Sequence, residues 1–154
     1  MDEQLDIDKL DKKILSALQK DARRPFQELA RDMDVSGGTV HVRFNKLKDL
    51  GVITGSHVDI NYGKLGYDVT AFIGINLHNA GDYAAVLEKL RKMEEITEAY
   101  YTTGNYSIFI RVITKSTEGL HEFLTRKLQP LKEIQSTETF ISLYIPIKRD
   151  ICFE

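Results

Sequence analysis

An apolar period of about 3.6 residues runs through residues 8–50, and from Tyr67 the chain instead passes twice through strand, helix and strand. Together these patterns predict an α+β protein, with an N-terminal helix-turn-helix domain followed by a ferredoxin-like βαββαβ domain. A third observation is that positive charge gathers in one stretch of an otherwise acidic chain. Residues 23–48 hold six basic residues (Arg23, Arg24, Arg31, Arg43, Lys46, Lys48) against three acidic ones (Glu28, Asp32, Asp34), inside a chain of net charge −2. A local phosphate-binding patch fits that distribution better than a generally basic protein does.

The first helix is expected over 8–21, with Asp8 as its cap and Leu10, Ile14 and Leu18 recurring every four residues. Arg23-Arg24-Pro25 turns the chain, and Pro25 suits a helix start because its φ is already fixed. Phe26, Leu29, Ala30 and Met33 give the second helix one apolar face, although no Ser, Thr or Asp caps it. Ser36 is placed to cap a third helix, whose Val40, Phe44 and Leu47 point inward and which Gly51 ends. Thr39, His41, Val42, Asn45 and Lys46 then face outward, with Arg43 at the margin. A helix pair this short suits the DNA major groove, with the start of the second helix nearest the bases. Gly37 and Gly38 either let the helix start approach a phosphate closely or carry no function. The candidate DNA-binding set is therefore Ser36, Gly37, Gly38, Thr39, His41, Val42, Arg43, Asn45 and Lys46.

VITGSHVDI after Gly51 reads as a strand or small hairpin. The expected division is residues 1–54 for the DNA-binding domain, 55–66 for a hinge with three glycines, and 67–154 for the second domain. That second domain is expected to run as strand 67–77, helix 81–93, strand 96–103, strand 106–114, helix 116–128 stopped by Pro130, and strand 135–147. With both helices on one face of the sheet, the other face, carrying Tyr100 and Tyr144, needs a partner surface. The expected partner is a second copy of the chain.

Hydrophobic residues make up 42% of the chain, enough for packed cores rather than disorder. No apolar run reaches the roughly 20 residues that span a bilayer, and the acidic start MDEQLDIDKL is unlike a signal peptide, so a cytoplasmic protein with no membrane partner is expected. Cys152 has no partner for a disulfide, and His41, His57, His78 and His121 lie too far apart in sequence to suggest a metal set. Neither a phosphate-cradling glycine loop nor a nucleophile motif occurs, which weighs against an enzyme; no cofactor is expected.

LDKKILSALQKDAR, VSGGTVHVRFNKLKDLGVITG, LGYDVTAFIGI, TEAYYTTGNYSIFIRV and EIQSTETFISL together resemble the Lrp/AsnC family of transcription regulators over nearly the whole chain. The resemblance implies a winged-helix-like DNA-binding domain and a RAM/ACT-like domain that binds an amino acid between dimers. The last two stretches resemble the AsnC branch. Many members have an acidic residue where TGNYS has Ser107, which points away from the leucine-responsive branch. Carried over, the effector site is Tyr100, Thr102, Thr103, Gly104, Asn105 and Tyr106, with Gln135, Ser136 and Thr137 opposite. The implied partners are double-stranded DNA, L-asparagine as effector, and copies of the chain forming a homodimer and then a tetramer or octamer. One departure is Gly37, where the family usually has proline. A regulator responding to leucine or another amino acid, and a ligand-independent nucleoid-organising protein, are the alternatives.

Overall fold

The computed structural model describes residues 5–153. Met1–Gln4 and Glu154, which the expected domains include, lie outside the described residues. The chain divides into two compact units. One comprises the described residues up to Asp59 together with those from Ile147 onward, and the other is Ile60–Pro146.

In the first unit, α1 spans Lys9–Lys20, α2 Phe26–Asp32 and α3 Gly37–Asp49. Asp8 caps α1 through a reciprocal pair: its carboxylate accepts from the Asp11 amide at 2.9 Å, and Asp11 Oδ2 accepts from the Asp8 amide at 3.2 Å. Helix α2 starts after Pro25 with no side-chain cap. Between α2 and α3, Asp34 adopts φ 55° and the Val35 amide reaches back to the Ala30 carbonyl at 2.9 Å. Ser36 Oγ then accepts from the Thr39 amide at 3.0 Å and opens α3. Ile14, Leu29 and Val40 fill the core between the helices, and Leu47 is likewise fully buried. Each such side chain contributes roughly 1.5–3 kcal/mol by leaving water.

Gly51 follows α3 at φ 71°, a left-handed conformation that costs any residue with a Cβ. Gly51→Ala should therefore lower stability by about 1 kcal/mol, read as a shift of the urea midpoint with the slope unchanged. An unmoved midpoint would mean that the turn relaxes.

The strand or small hairpin expected over 52–60 does not form. Its β-branched residues suit extended backbone, but a strand also needs a ladder partner, and Val58 and Ile60 remain exposed. Residues 147–153 belong to the first unit, where Lys148 Nζ lies 3.1 Å from Asp59 Oδ1.

The second unit contains β1 (Val69–Leu77), α4 (Tyr83–Leu90), β2 (Ile96–Tyr101), β3 (Ile108–Thr114), α5 (Thr117–Glu122) and β4 (Ile134–Ser142). The sheet is antiparallel in the order β2-β3-β1-β4, the ferredoxin-like arrangement. Ala71, Ile73, Ile75, Ile108, Ile110 and Val112 form the core with Val86 and Leu90 of α4 and with Leu120, Phe123 and Leu128.

The elements are shorter or less regular than expected: β1 starts at Val69 instead of 67, β2 ends at Tyr101 instead of 103, and β3 starts at Ile108 instead of 106. Helix α4 is preceded by a 3₁₀ turn at Ala80–Asp82, and α5 passes into a π-helical turn at Phe123–Leu128, where the Gln129 amide bonds to the Leu124 carbonyl at 2.8 Å. Strand β4 stops at Ser142 instead of 147. Leu143 is 92% exposed, and Pro146 has no amide to continue a ladder.

Candidate functional site

On α3, side chains separate into an open face and a flank. Val42 is 66% exposed, and His41 and Asn45, one turn apart, also face out, with Asn45 Nδ2 lying 3.2 Å from His41 Nε2. These three offer hydrogen-bonding and apolar groups, the kinds that read base edges. Ser36 and Thr39 bond to each other at 2.8 Å at the helix start. A Cβ on Gly37 would come within 2.8–3.0 Å of the Gln27 side chain of α2, whereas one on Gly38 would meet only Ser36 Oγ at 3.7 Å. Gly37 thus leaves room for the end of the Gln27 side chain, and Gly38 leaves the helix start open.

Arg43 and Lys46 turn toward α1. Arg43 Nη1 lies 2.7 Å from Asp8 Oδ2 and 3.3 Å from Asp11 Oδ2. Lys46 Nζ lies 3.1 Å from Asp11 Oδ2 and 3.6 Å from Asp6 Oδ2, and it also donates to the Asp6 carbonyl. Asp11 is fully buried. Sequence reasoning missed it, although an acid beside the apolar Leu10, Ile14 and Leu18 stripe was the available signal. The Asp11 amide bond, aided by the Arg43 guanidinium, holds the Asp8 carboxyl below the usual carboxylate range.

The second candidate site lies at the β2–β3 loop and the adjoining sheet. Thr102 and Ser107 close the loop: the Thr102 amide donates to the Ser107 carbonyl at 3.3 Å, and the Thr102 hydroxyl donates to the Tyr106 carbonyl. Thr103, Gly104 and Asn105 stand exposed at its tip. A Cβ at Gly104 would meet nothing within 4 Å.

Register then places the sheet residues. Tyr100 pairs with Phe109, Phe109 with Gly74, and Gly74 with Glu138, so one transverse row crosses all four strands. Tyr106 lies over the gap that Gly74 leaves in that row, and its hydroxyl donates to Glu138. Beside it, Asn76 Nδ2 donates to Ser136 Oγ at 3.2 Å. Tyr106, Ser136, Glu138 and Asn76 are therefore neighbours. Thr137 pairs with the buried Ile75 and so alternates toward the helix-covered side, and Gln135 is exposed at the start of β4. Glu138 and Asn76 were not in the sequence-derived set, because only strand register brings them to Tyr106.

The rest of this open face is aromatic. Phe72 stacks on Phe109 at 6.1 Å, and Phe140, 44% exposed, lies 6.5 Å from Phe109. Tyr100 donates to Glu98 at 2.6 Å, and Glu98 also takes Arg111 at 3.1 Å. Those bonds raise the Tyr100 phenol and lower the Glu98 carboxyl, and the Glu138 bond likewise raises the Tyr106 phenol. Among the described residues no group of His, Cys, Asp and Glu could hold a metal, and no helix is long and apolar enough to cross a membrane.

Known proteins match both units. Residues 7–48 match the AsnC-type helix-turn-helix domain, and residues 70–151 match the Lrp/AsnC ligand binding domain. The chain is 54% identical over 145 residues to the Regulatory protein AsnC of Haemophilus influenzae, covering 94% of this chain and 97% of that protein. It is 52% identical to the Regulatory protein AsnC of Escherichia coli (strain K12), covering 94% and 95%. The solved structure of E. coli AsnC superposes with a TM-score of 0.90 at 52% identity, covering 94% of this chain and 97% of that one.

Proposed function

The chain belongs to the Lrp/AsnC family of DNA-binding transcriptional regulators, and from that premise we propose that it senses free L-asparagine through the β2–β3 loop and the start of β4. The observation that carries the proposal is the wall formed by Tyr106, Ser136 and Glu138 beside an exposed loop tip. A zwitterion needs acceptors for its ammonium and donors for its carboxylate. Glu138 and Ser136 supply the first, and the amides around Gly104 with the Thr103 hydroxyl supply the second. Asn105 and Gln135 each carry a donor and an acceptor suited to a side-chain amide. The name of the relatives supports asparagine among amino acids.

This wall is open, and a second copy of the chain completes the site. The aromatic face of the sheet supports a homodimer that assembles further to a tetramer or octamer. Two α3 helices then read a near-palindromic duplex in the cytoplasm. His41, Val42 and Asn45 meet the bases, Ser36–Thr39 meet phosphate at the helix start, and Arg43 and Lys46 meet phosphates along the flank. Ligand between subunits shifts assembly because its affinity differs between assembled states.

The test is calorimetric titration of the full chain with L-asparagine, L-glutamine, L-aspartate and L-leucine. Asparagine should bind preferentially, and Gly104→Leu should weaken it at least about tenfold while the thermal transition stays put, because a side chain at Gly104 meets open space. Preference for leucine would sink the asparagine assignment. Silence from all four, with long phased footprints on unrelated DNA, would favour an architectural protein.

A further inference from the structure

The flank of α3 that carries Arg43 and Lys46 is already occupied by carboxylates of the chain's own N-terminal segment. At about 100° per residue, His41, Val42 and Asn45 point away from the core, whereas Arg43 and Lys46 lie on the side next to α1. In a major groove the outward edge of a helix meets bases and its flanks meet phosphates. Three acids share those two cations unequally. Asp11 is fully buried and bonds both, so its pairing is part of the fold. Asp8 is 44% exposed and Asp6 98% exposed, and each takes one cation, Arg43 and Lys46 respectively. Exposed ion pairs stabilise little, so these outer carboxylates exchange easily.

We infer that Asp6 and Asp8 stand in for DNA phosphates on Arg43 and Lys46, and that the duplex must displace them, so the N-terminal segment sets the DNA affinity of the regulator. Asp11 stays on both cations throughout and is the positioning residue that holds them at the flank. This rests on Arg43 and Lys46 being phosphate contacts, as proposed above.

The test is fluorescence anisotropy of a labelled mixed-sequence duplex across a salt series. Asp6→Asn with Asp8→Asn removes both carboxylates, and asparagine retains the helix cap at position 8. Asp21→Asn with Asp34→Asn changes the net charge equally without touching α3, and asparagine suits the positive φ of position 34. The first double variant should bind at least about fivefold more tightly than this control, because the competing carboxylates are gone. In an Asp11→Leu, Arg43→Leu, Lys46→Leu background, which leaves no buried charge unpaired, that gain should vanish, as a mutant cycle requires of groups acting on one another. Equal affinity of the two Asp-to-Asn pairs, or a gain that survives loss of the cations, overturns the inference. Lys46→Gln alone, which leaves Asp11 its arginine, checks the premise separately. It should flatten the slope of log K against log salt by about 0.9. An unchanged slope shows instead that Lys46 meets no phosphate, and the inference falls with it.

Discussion

Gly74→Ala should cost asparagine binding and stability together, through one displaced ring. A Cβ at Gly74 would stand 2.5–2.6 Å from Cγ, Cδ1 and Cδ2 of Tyr106. Those atoms are near the root of the side chain, so the whole ring must move. Tyr106 is bonded to Glu138 across the sheet and is tied through its own carbonyl to Thr102 at the far end of the loop. Pushing it off β1 therefore separates the wall from the loop tip. Overpacking of this kind typically costs about 1–3 kcal/mol. The expected result is a lowered urea midpoint and no measurable heat with L-asparagine. Tyr106→Phe isolates the hydroxyl: it keeps the ring on Gly74 and should lose affinity while the midpoint moves little. If Gly74→Ala bound asparagine normally with an unchanged midpoint, Tyr106 would not be positioning the effector wall.

That pair also marks where the sequence was readable. Tyr106 could be singled out only through the family resemblance carried by TTGNYS, whereas Gly74 passed as one residue of a long apolar strand. A glycine inside a strand does signal close approach of another group, but what approaches depends on the register with β3 and β4. The resemblance carried Thr137 into the set with Ser136, although neighbours on a strand face opposite ways. Helix positions in the first unit were legible because caps and periodicity are local: Asp8, Ser36 and Gly51 sit where the α1 and α3 boundaries require them. What composition could not reveal was that residues 52–60 have strand-forming side chains but no ladder, or that α5 closes with a π-helical turn. Nor does outward periodicity reveal that Arg43 and Lys46 are drawn sideways by a buried acid 32 and 35 residues earlier in the chain.

Asp11→Ala should unfold the DNA-binding unit well before the rest of the chain. The carboxylate has no exposure, and it accepts from the Asp8 amide, Arg43 and Lys46. Removing one partner of a buried charge pair usually costs about 3–5 kcal/mol. Arg43 and Lys46 are each about 30% exposed at the side chain and can partly regain water, so the lower end, about 3 kcal/mol, applies. For a unit this small that lowers its midpoint by more than about 10 °C, with the transition of the sheet unit unmoved in a calorimetric scan. Arg43→Ala should be milder, since Asp11 keeps Lys46, yet it too would lose stability along with DNA affinity. A loss of binding in that variant would not by itself prove a base or phosphate contact. Replacing all three residues together separates the roles. Asp11→Leu with Arg43→Leu and Lys46→Leu removes the charges along with their desolvation cost, and buried ionic groups can often be exchanged for apolar ones with little loss. That triple variant should recover most of the midpoint while leaving DNA binding weak. Recovery of both would show that the cations serve only the fold, and recovery of neither would show that the Asp11 cluster specifies how α3 packs.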